Sequence, residues 1–223
     1  MRSIAIDGPS GAGKTTVAKA LAERMGYHYV DTGAIYRTVG LYVSRRGSCD
    51  DVQLVEKCLP EIEIGLEHGE DGLQHMFLNG EDVTEAIRKN EVSAFASTVS
   101  AIPAVREYLL DMQRELARQH NVIMDGRDIG TVVLPNANVK IYLTASVEER
   151  AKRRWKELQE KGDNTPFETV KEQIIQRDHA DMNREIAPLR QAEDAVVVDT
   201  SDLNLEESIE AAYQVVKEKM GQE

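Results

Sequence analysis

The hydrophobic and polar positions of this chain follow two periods in turn. Short β-branched and apolar runs, at positions 3–7, 121–125 and 139–143, are typical of buried strands. Between positions 15 and 25 the apolar residues instead recur at the three- and four-residue spacing of a helix. Because strands that alternate with helices form a parallel sheet wrapped on both sides, the pattern predicts an α/β fold.

A different pattern interrupts this alternation between about Cys49 and Glu85. Apolar and polar residues alternate over positions 62–67, and a second, partly alternating run covers positions 73–78 after Glu70-Asp71-Gly72. Two alternating runs joined by turn residues indicate a β-hairpin. We therefore expect a small β-rich insertion outside the main parallel sheet.

Helix boundaries in the second half of the chain have local signals. Pro103 is expected to begin a helix, because proline fits the first turn of a helix and disrupts a later one. The segments beginning at Ser146 and Thr165 each place a glutamate three residues after a hydroxyl side chain, which is the capping-box pattern. A last strand at positions 195–199 and a helix from about Leu205 complete the prediction.

Composition narrows the classes of function. A hydrophobic content of 41% supports a packed core, and no stretch approaches the roughly 18 consecutive apolar residues of a membrane span. The N-terminus lacks the apolar core of a signal peptide, and two cysteines are too few for a disulfide framework. A net charge of −12 argues against a nucleic-acid-binding surface. We expect a cytoplasmic monomer with neither a nucleic-acid nor a membrane partner.

The strongest chemical signal lies between the first predicted strand and the first predicted helix. Residues 8–15 read GPSGAGKT and fit the nucleotide-binding pattern G-x-x-x-x-G-K-[ST] at every fixed position. Such a loop surrounds phosphate oxygens with backbone N–H groups, Lys14 reaches the β and γ phosphates, and Thr15 ligates Mg²⁺. The alternative is a glycine-rich turn with no ligand. The candidate ATP-binding residues are Gly8, Pro9, Ser10, Gly11, Ala12, Gly13, Lys14, Thr15 and Thr16.

The loop alone does not define the activity, because switches, motors and kinases share it. A guanine-nucleotide switch needs an Asn-Lys-x-Asp segment to read the base, and the sequence has none. An ATP-driven motor usually has a larger chain. A small-molecule kinase needs a second anionic site for the acceptor and a lid that excludes water.

Two predicted strand ends offer candidates for the acceptor site. Tyr36 and Arg37 lie near the start of the helix after residues 31–33, where Arg37 could clamp a phosphate or simply be a solvated surface residue. Arg127 and Asp128 follow a buried strand, at the sheet edge where α/β proteins bind ligands. This second pair could orient the acceptor or form a local ion pair at the strand end.

Arginines are concentrated on two predicted helices of the second half. Arg177, Asp181 and Arg184 are spaced by four and three residues and so share one helix face. A charged helical face is usually only solvated, but arginine-rich helices flanking a polar segment would also suit a lid that closes over phosphates. The arginines of these helices are Arg150, Arg153, Arg154, Arg177 and Arg184.

In these residues the chain resembles the bacterial cytidylate kinases over essentially its full length. The resemblance rests on residues 6–14, 31–37, 125–133 and 177–189, in that order. It implies a P-loop nucleoside monophosphate kinase fold: a central parallel sheet flanked by helices, a helical lid and a monophosphate-binding region enlarged by a small β insertion. It also implies transfer of the γ-phosphoryl group of ATP to CMP or dCMP, with Mg²⁺, in pyrimidine metabolism.

The resemblance implies roles for single residues, carried over by motif. Direct in-line transfer is expected, in which Lys14, Mg²⁺ and the lid arginines neutralise charge and Arg127 with Asp128 positions the acceptor. Thr32 stands where the family often has serine, so the hydroxyl is kept. With Tyr36 added, the candidate acceptor-binding residues are Thr32, Tyr36, Arg37, Ser97, Arg106, Arg127, Asp128, Asp181 and Arg184. The candidate catalytic residues are Lys14, Arg127, Asp128, Arg150, Arg154, Arg177 and Arg184.

We expect one kinase domain over residues 1–223, and two alternative functions stay open. A related kinase could take UMP, AMP or shikimate, and a non-catalytic ATP-binding regulator would need the nucleotide loop but not Arg184. The β insertion together with Asp125-Gly126-Arg127-Asp128 favours the cytidylate kinases over other acceptors. The expected subregions are a core at 1–40, 86–145 and 190–223, an insertion at 41–85 and a lid with its flanking helices at 146–189.

Overall fold

The computed structural model describes residues 1–69 and 74–221, and the chain divides into two compact units. The first, called here the hairpin unit, comprises residues 28–122 with residue 1. The second, called here the loop unit, comprises residues 2–27 and 123–223. Among the described residues, no helix has both the length and the apolar character needed to cross a membrane.

The helices and strands alternate along most of the chain, as predicted. The strands are β1 (Ser3–Asp7), β2 (His28–Asp31), β3 (Ile64–His68), β4 (Gln74–Leu78), β5 (Glu81–Asp82), β6 (Val122–Gly126), β7 (Val139–Thr144) and β8 (Val196–Asp199). The α-helices are α1 (Lys14–Met25), α2 (Thr32–Ser44), α3 (Val52–Cys58), α4 (Asn90–Val99), α5 (Pro103–Gln119), α6 (Val147–Glu160), α7 (Phe167–Asn183) and α8 (Leu205–Met220). A π-helical turn, Ile129–Val133, follows β6.

The loop unit is built on a parallel sheet in which the strands lie in the order β6-β1-β7-β8. β1 pairs with β7 in parallel, with Ile4 opposite Val139 and Asp7 opposite Tyr142, and β7 pairs with β8 in the same sense. The apolar residues of β1, β6 and β7 are almost completely buried, as expected for strands covered on both faces. The predicted α/β fold class, with its parallel sheet and flanking helices, is confirmed.

The glycine loop connects β1 to α1 through backbone conformations that side chains rarely adopt. Gly8 has φ +153° and Gly13, immediately before α1, has φ +87°. A Cβ atom on Gly8 would lie 1.9 Å from the carbonyl oxygen of Leu143 on β7. Glycine at position 8 is therefore required both by conformation and by the close approach of the neighbouring strand.

Replacing Gly8 with alanine is expected to destabilise the protein by about 3 kcal/mol, because backbone atoms of a central strand must move. In a chain of this size the melting temperature should fall by roughly 6 to 12 °C. Gly162→Ala is the matched control. Gly162 also has a positive φ, of +79°, but a Cβ atom added there would meet nothing within 4 Å. Thermal unfolding of both variants checks this, and equal losses would contradict the steric argument.

Helices α6 and α7 pack against each other around a hydrophobic cluster of their own. Ala151, Leu158, Val170 and Ile174 are buried in it, with Val147 and Phe167 packed against them. The indole of Trp155 meets the Phe167 ring edge-on at a centroid distance of 6.3 Å. The pair therefore has a local hydrophobic core in addition to its charged outer face.

The two predicted helix caps of this region have different outcomes. The Ser146 hydroxyl accepts a hydrogen bond from the Glu149 N–H at 3.2 Å, so Ser146 caps α6 as predicted. The prediction for Thr165 is wrong, because α7 begins only after Pro166 and has no side-chain cap. The Thr165 hydroxyl instead donates to the carboxylate of Asp163 at 2.6 Å. This local bond competes with capping.

The hairpin unit contains the antiparallel sheet β3-β4-β5 and the packed helices α2 and α4. In the β3-β4 pair, Ile64 lies opposite Leu78 and His68 opposite Gln74, which confirms the predicted β-rich insertion. The predicted turn at Glu70-Asp71-Gly72, with Leu73, lies outside the described residues. Helix α3 was not predicted, although Asp51 caps it by accepting from the Leu54 N–H. Pro103 occupies the first turn of α5 as predicted.

Candidate active site

Lys14 begins α1 and points back into the glycine loop. Its ammonium donates a hydrogen bond to the carbonyl of Pro9 at 2.7 Å and its side chain is buried. Burial, together with the nearby positive charge of Arg127, lowers the pKa of Lys14 well below its ordinary value. A phosphate bound in the loop would supply the negative charge that keeps this ammonium protonated.

Thr15 and Asp125 bring a hydroxyl and a carboxylate together beside Lys14. The exposed Thr15 hydroxyl donates to Asp125 Oδ2 at 3.1 Å, and Asp125 lies buried near the carboxyl end of β6. Hard oxygen ligands of this kind are what Mg²⁺ prefers. The residues present therefore fit Mg²⁺. Sequence reasoning selected Thr15 but not Asp125, although an acidic residue ending a buried strand was a usable signal.

Asp7 connects the end of β1 to the π-helical turn that follows Asp128. Its carboxylate accepts hydrogen bonds from the N–H groups of Ile129 at 2.8 Å and Gly130 at 2.7 Å. Burial raises the pKa of Asp7 to about 6, against these two hydrogen bonds, which lower it. Sequence reasoning missed Asp7, which fixes the backbone directly after Asp128.

Two arginine–carboxylate pairs with buried carboxylates involve the residues directly after β6. Arg127 Nε donates to Asp181 Oδ2 at 2.8 Å, and an Arg184 Nη donates to Asp128 Oδ1 at 3.2 Å. Burial alone would raise the pKa of Asp181, but the charge of Arg127 and its hydrogen bond hold that pKa below the ordinary value. The structure thus brings together four residues that the sequence predicted. Arg127 and Asp128 directly follow β6, Asp181 lies on α7, and Arg184 directly follows α7.

Arg150 and Asp178 hold the glycine loop from the side of α6 and α7. Arg150 donates to the Asp178 carboxylate and, at 2.9 Å, to the carbonyl of Ser10. The Ser10 N–H in turn donates to Asp178 at 3.1 Å. Arg150 was predicted as a charge-neutralising residue, and its contacts here are with the loop backbone. Asp178 is a further contact that the sequence did not reveal.

The remaining lid candidates occupy different environments. Arg177 lies close enough to Lys14 and Asp181 to lower the pKa of both. Arg154 is half-buried and pairs with Glu157 at 3.0 Å, one turn away on the same helix. Arg153 donates to the Thr200 carbonyl at 2.6 Å. The structure therefore places Arg177 near the loop lysine. Thr16, the last predicted loop residue, is exposed on the first turn of α1.

In the hairpin unit, Asp31 organises the start of α2. One carboxylate oxygen caps the helix by accepting from the Ala34 N–H at 2.9 Å, and the other accepts from Arg37 at 2.7 Å. The Asp31 N–H donates to the side chain of Gln74 on β4 at 2.7 Å. Arg37 is thus held by an ion pair rather than freely solvated, and the adjacent Thr32 is buried. Gln74 was not predicted.

A second group in the same unit joins α2, α4 and α5. The guanidinium of Arg106 lies 5.5 Å from the centre of the Tyr36 ring, within cation–π range. Arg106 is buried and donates to the Ser100 carbonyl at 3.1 Å. The half-buried Ser97 accepts from the Ser100 hydroxyl through its own carbonyl. Tyr36 and Arg106 are therefore neighbours, and Ser97 is linked to them through Ser100.

The loop unit defines the class of this protein. A parallel strand that enters a complete G-x-x-x-x-G-K-[ST] loop, with the lysine buried at the start of the following helix, is the phosphate-binding element of the P-loop proteins. A sequence model described as cytidylate kinase matches residues 4–218. The chain belongs to the cytidylate kinase family, and so is a nucleoside monophosphate kinase.

Similar proteins support the same assignment. The cytidylate kinase of Caldicellulosiruptor bescii is 52% identical over 223 residues, which cover 98% of each chain. That of Thermosipho melanesiensis is 50% identical over 216 residues and 97% of each chain. Among solved structures, an uncharacterised protein from Eubacterium ventriosum matches 97% of this chain and 99% of its own with a TM-score of 0.55 at 11% identity. That last likeness concerns the fold alone.

Proposed function

We propose that this protein transfers the γ-phosphoryl group of ATP to CMP and dCMP, yielding ADP with CDP or dCDP. The observation that carries the proposal is the intact loop with its buried lysine, in a chain about half identical to cytidylate kinases over nearly its whole length. The ion pairs Arg127–Asp181 and Arg184–Asp128 add charged groups of the type that phosphoryl transfer requires.

The donor nucleotide is proposed to bind at residues 8–16. The loop N–H groups surround its phosphates, while Lys14 contributes its ammonium to the β and γ phosphates. Mg²⁺ would be held by Thr15 with Asp125 nearby, and when bound it offsets phosphate charge. Arg150 and Asp178 keep the loop in shape, since both hydrogen-bond to Ser10.

Acceptor-binding roles are proposed within each unit separately. In the hairpin unit they fall to Thr32, Tyr36, Arg37, Ser97 and Arg106. In the loop unit they fall to Arg127, Asp128, Asp181 and Arg184. These residues offer the hydroxyls, carboxylates and guanidinium groups that could bind a nucleoside monophosphate by charge-assisted hydrogen bonds.

The chemical step is proposed to be a single in-line displacement. An oxygen of the CMP phosphate forms a bond to the γ-phosphorus while the bond to the β–γ bridging oxygen breaks, and ADP leaves with that electron pair. No general base is needed, because the attacking oxygen is already largely ionised. Lys14, Arg177 and Arg184 neutralise charge on the transferring group, with Arg150 and Arg154 as further candidates, so catalysis consists of positioning and electrostatic stabilisation.

Residues 146–189 are proposed as the lid with its flanking helices. The hydrophobic cluster between α6 and α7 lets this pair keep its own packing, which a segment that moves as a body requires. We further propose that the protein acts as a cytoplasmic monomer on free nucleotides, without nucleic acid or a membrane, in pyrimidine metabolism.

The proposal is tested by ADP formation from Mg-ATP with CMP, dCMP, UMP, AMP and GMP offered separately. Turnover is expected to be fastest with CMP and dCMP. Faster turnover with AMP or GMP would keep the chemistry but overturn the acceptor assignment. Binding of ATP without turnover on any acceptor would instead favour a non-catalytic ATP-binding regulator.

A further inference from the structure

Three of the five histidines in the sequence meet in the hairpin unit, and none of them is among the candidate site residues. The ring of His28, at the start of β2, lies 4.8 Å from that of His68, at the end of β3, and 4.3 Å from that of His120, which follows α5. His28 is exposed, whereas His68 and His120 are half-buried. The proposed kinase reaction uses none of them.

The rings of His28 and His68 face each other through their Nδ1 atoms. His28 Nδ1 and His68 Nδ1 are 3.4 Å apart. Two imidazole nitrogens bound to one tetrahedral zinc ion at about 2.0 to 2.1 Å would themselves be about 3.4 Å apart. The pair therefore already has the spacing of two ligands on one metal ion.

The other nitrogen of His68 is fixed by the backbone. His68 Nε2 lies 2.7 Å from the carbonyl oxygen of Tyr29, and since a carbonyl can only accept, Nε2 carries the proton. His68 Nδ1 is then the nitrogen with a free electron pair, facing His28. A metal-bound histidine almost always donates its second ring N–H to a carbonyl, a carboxylate or water in this way.

Metal binding requires a ring nitrogen with a free electron pair on each histidine. In the absence of metal, the hydrogen bond to His68 has His28 Nδ1 as donor. Neutral His28 can carry that proton on Nε2 instead, which leaves both Nδ1 atoms available to one ion.

We propose that His28 and His68 form a binding site for a divalent first-row transition metal ion such as Zn²⁺, which joins β2 to the end of the β3-β4 hairpin. Imidazole suits zinc, nickel and copper ions, whereas Mg²⁺ prefers oxygen. In the described residues, no three histidine, cysteine, aspartate or glutamate side chains converge on one metal position. The two Nδ1 atoms are thus the protein ligands, and water fills the remaining positions.

The test is a Co²⁺ titration of the full chain without nucleotide, in excess Mg²⁺ so that oxygen sites are occupied. Visible absorption of imidazole-bound Co²⁺ is expected to rise to one ion per chain and to disappear when Zn²⁺ is added. His28→Gln and His68→Gln should each weaken binding at least tenfold. His179→Gln, at an exposed position on α7, should leave it unchanged.

The result does not depend on the proposed kinase activity, since it is read from metal binding. Zn²⁺ should also raise the melting temperature of the wild-type protein but not that of His68→Gln, because the ion ties two strands together. Circular dichroism shows whether each variant is folded. Wild-type protein with no saturable Co²⁺ signal, or either glutamine variant at these two positions binding as tightly as wild type, would overturn the site.

Discussion

Replacing Lys14 with alanine should lower kcat for ADP formation from Mg-ATP and CMP by a factor of about 10² to 10³, the usual cost of removing one donor that stabilises a transition state. The ammonium is buried and anchored to the Pro9 carbonyl, so the glycine loop holds it in place before the nucleotide binds. A water molecule in the place of the ammonium would not supply its positive charge. Initial rates at saturating ATP and CMP give the measurement.

Lys19→Ala is the matched control for this change, because Lys19 lies on the same helix, five residues after Lys14. The control should keep wild-type kcat, and both variants should unfold at similar temperatures, since loss of a desolvated ammonium costs little stability. A Lys14→Ala enzyme that retained more than a third of wild-type turnover would remove this lysine from the chemistry. Loss of ATP binding alone, with kcat unchanged, would confine Lys14 to holding the donor.

The loop and its surrounding elements could be predicted because their signals are local. Eight consecutive residues specify the loop, and the strands beside it are compact apolar runs. The β3-β4 hairpin was likewise visible in its alternating residues. Helix α3 was missed, because it is a single seven-residue segment that lies just before the alternating run at positions 62–67.

The supports of the loop could not be predicted, because they join residues far apart in the sequence. Asp7 binds backbone groups more than 120 positions away, and Asp178 binds Ser10 across 168 positions. Neither contact has a periodicity or a motif of its own. A sequence shows which residue types are available for such pairing, but only the fold selects the carboxylate that each backbone N–H reaches.

These contacts explain how several charged side chains can be buried close together in the site. Each buried carboxylate described above has a guanidinium, a backbone N–H or a hydroxyl as its partner. The pairs Arg127–Asp181, Arg150–Asp178 and Arg184–Asp128 each join segments that are separated along the chain. A buried charge without a partner would cost several kcal/mol. The pairing therefore allows arginines to lie near the nucleotide loop without a large loss of stability.

Arg184→Ala should lower kcat by a factor of about 10² to 10³ while leaving ATP binding within about twofold of wild type, because Arg184 pairs with Asp128, a proposed acceptor-binding residue, and hydrogen-bonds to the Ala187 carbonyl. The change also removes the ion pair between Arg184 and buried Asp128, at a cost of about 3 kcal/mol. A fall of roughly 6 to 12 °C in melting temperature should accompany the loss of turnover. Turnover, ATP-analogue binding and thermal unfolding together give the three readings.

Two further variants separate the lost charge from the lost stability. Arg184→Lys keeps the positive charge near Asp128 but loses the planar fork that also reaches the Ala187 carbonyl. It should recover most of the melting temperature and only part of kcat. Arg190→Ala, at an exposed position six residues later, should change neither. A regulator that only binds ATP would keep its full function in all three variants, so unchanged behaviour of Arg184→Ala would favour that alternative over a kinase that uses Arg184 to stabilise the transferring phosphoryl group.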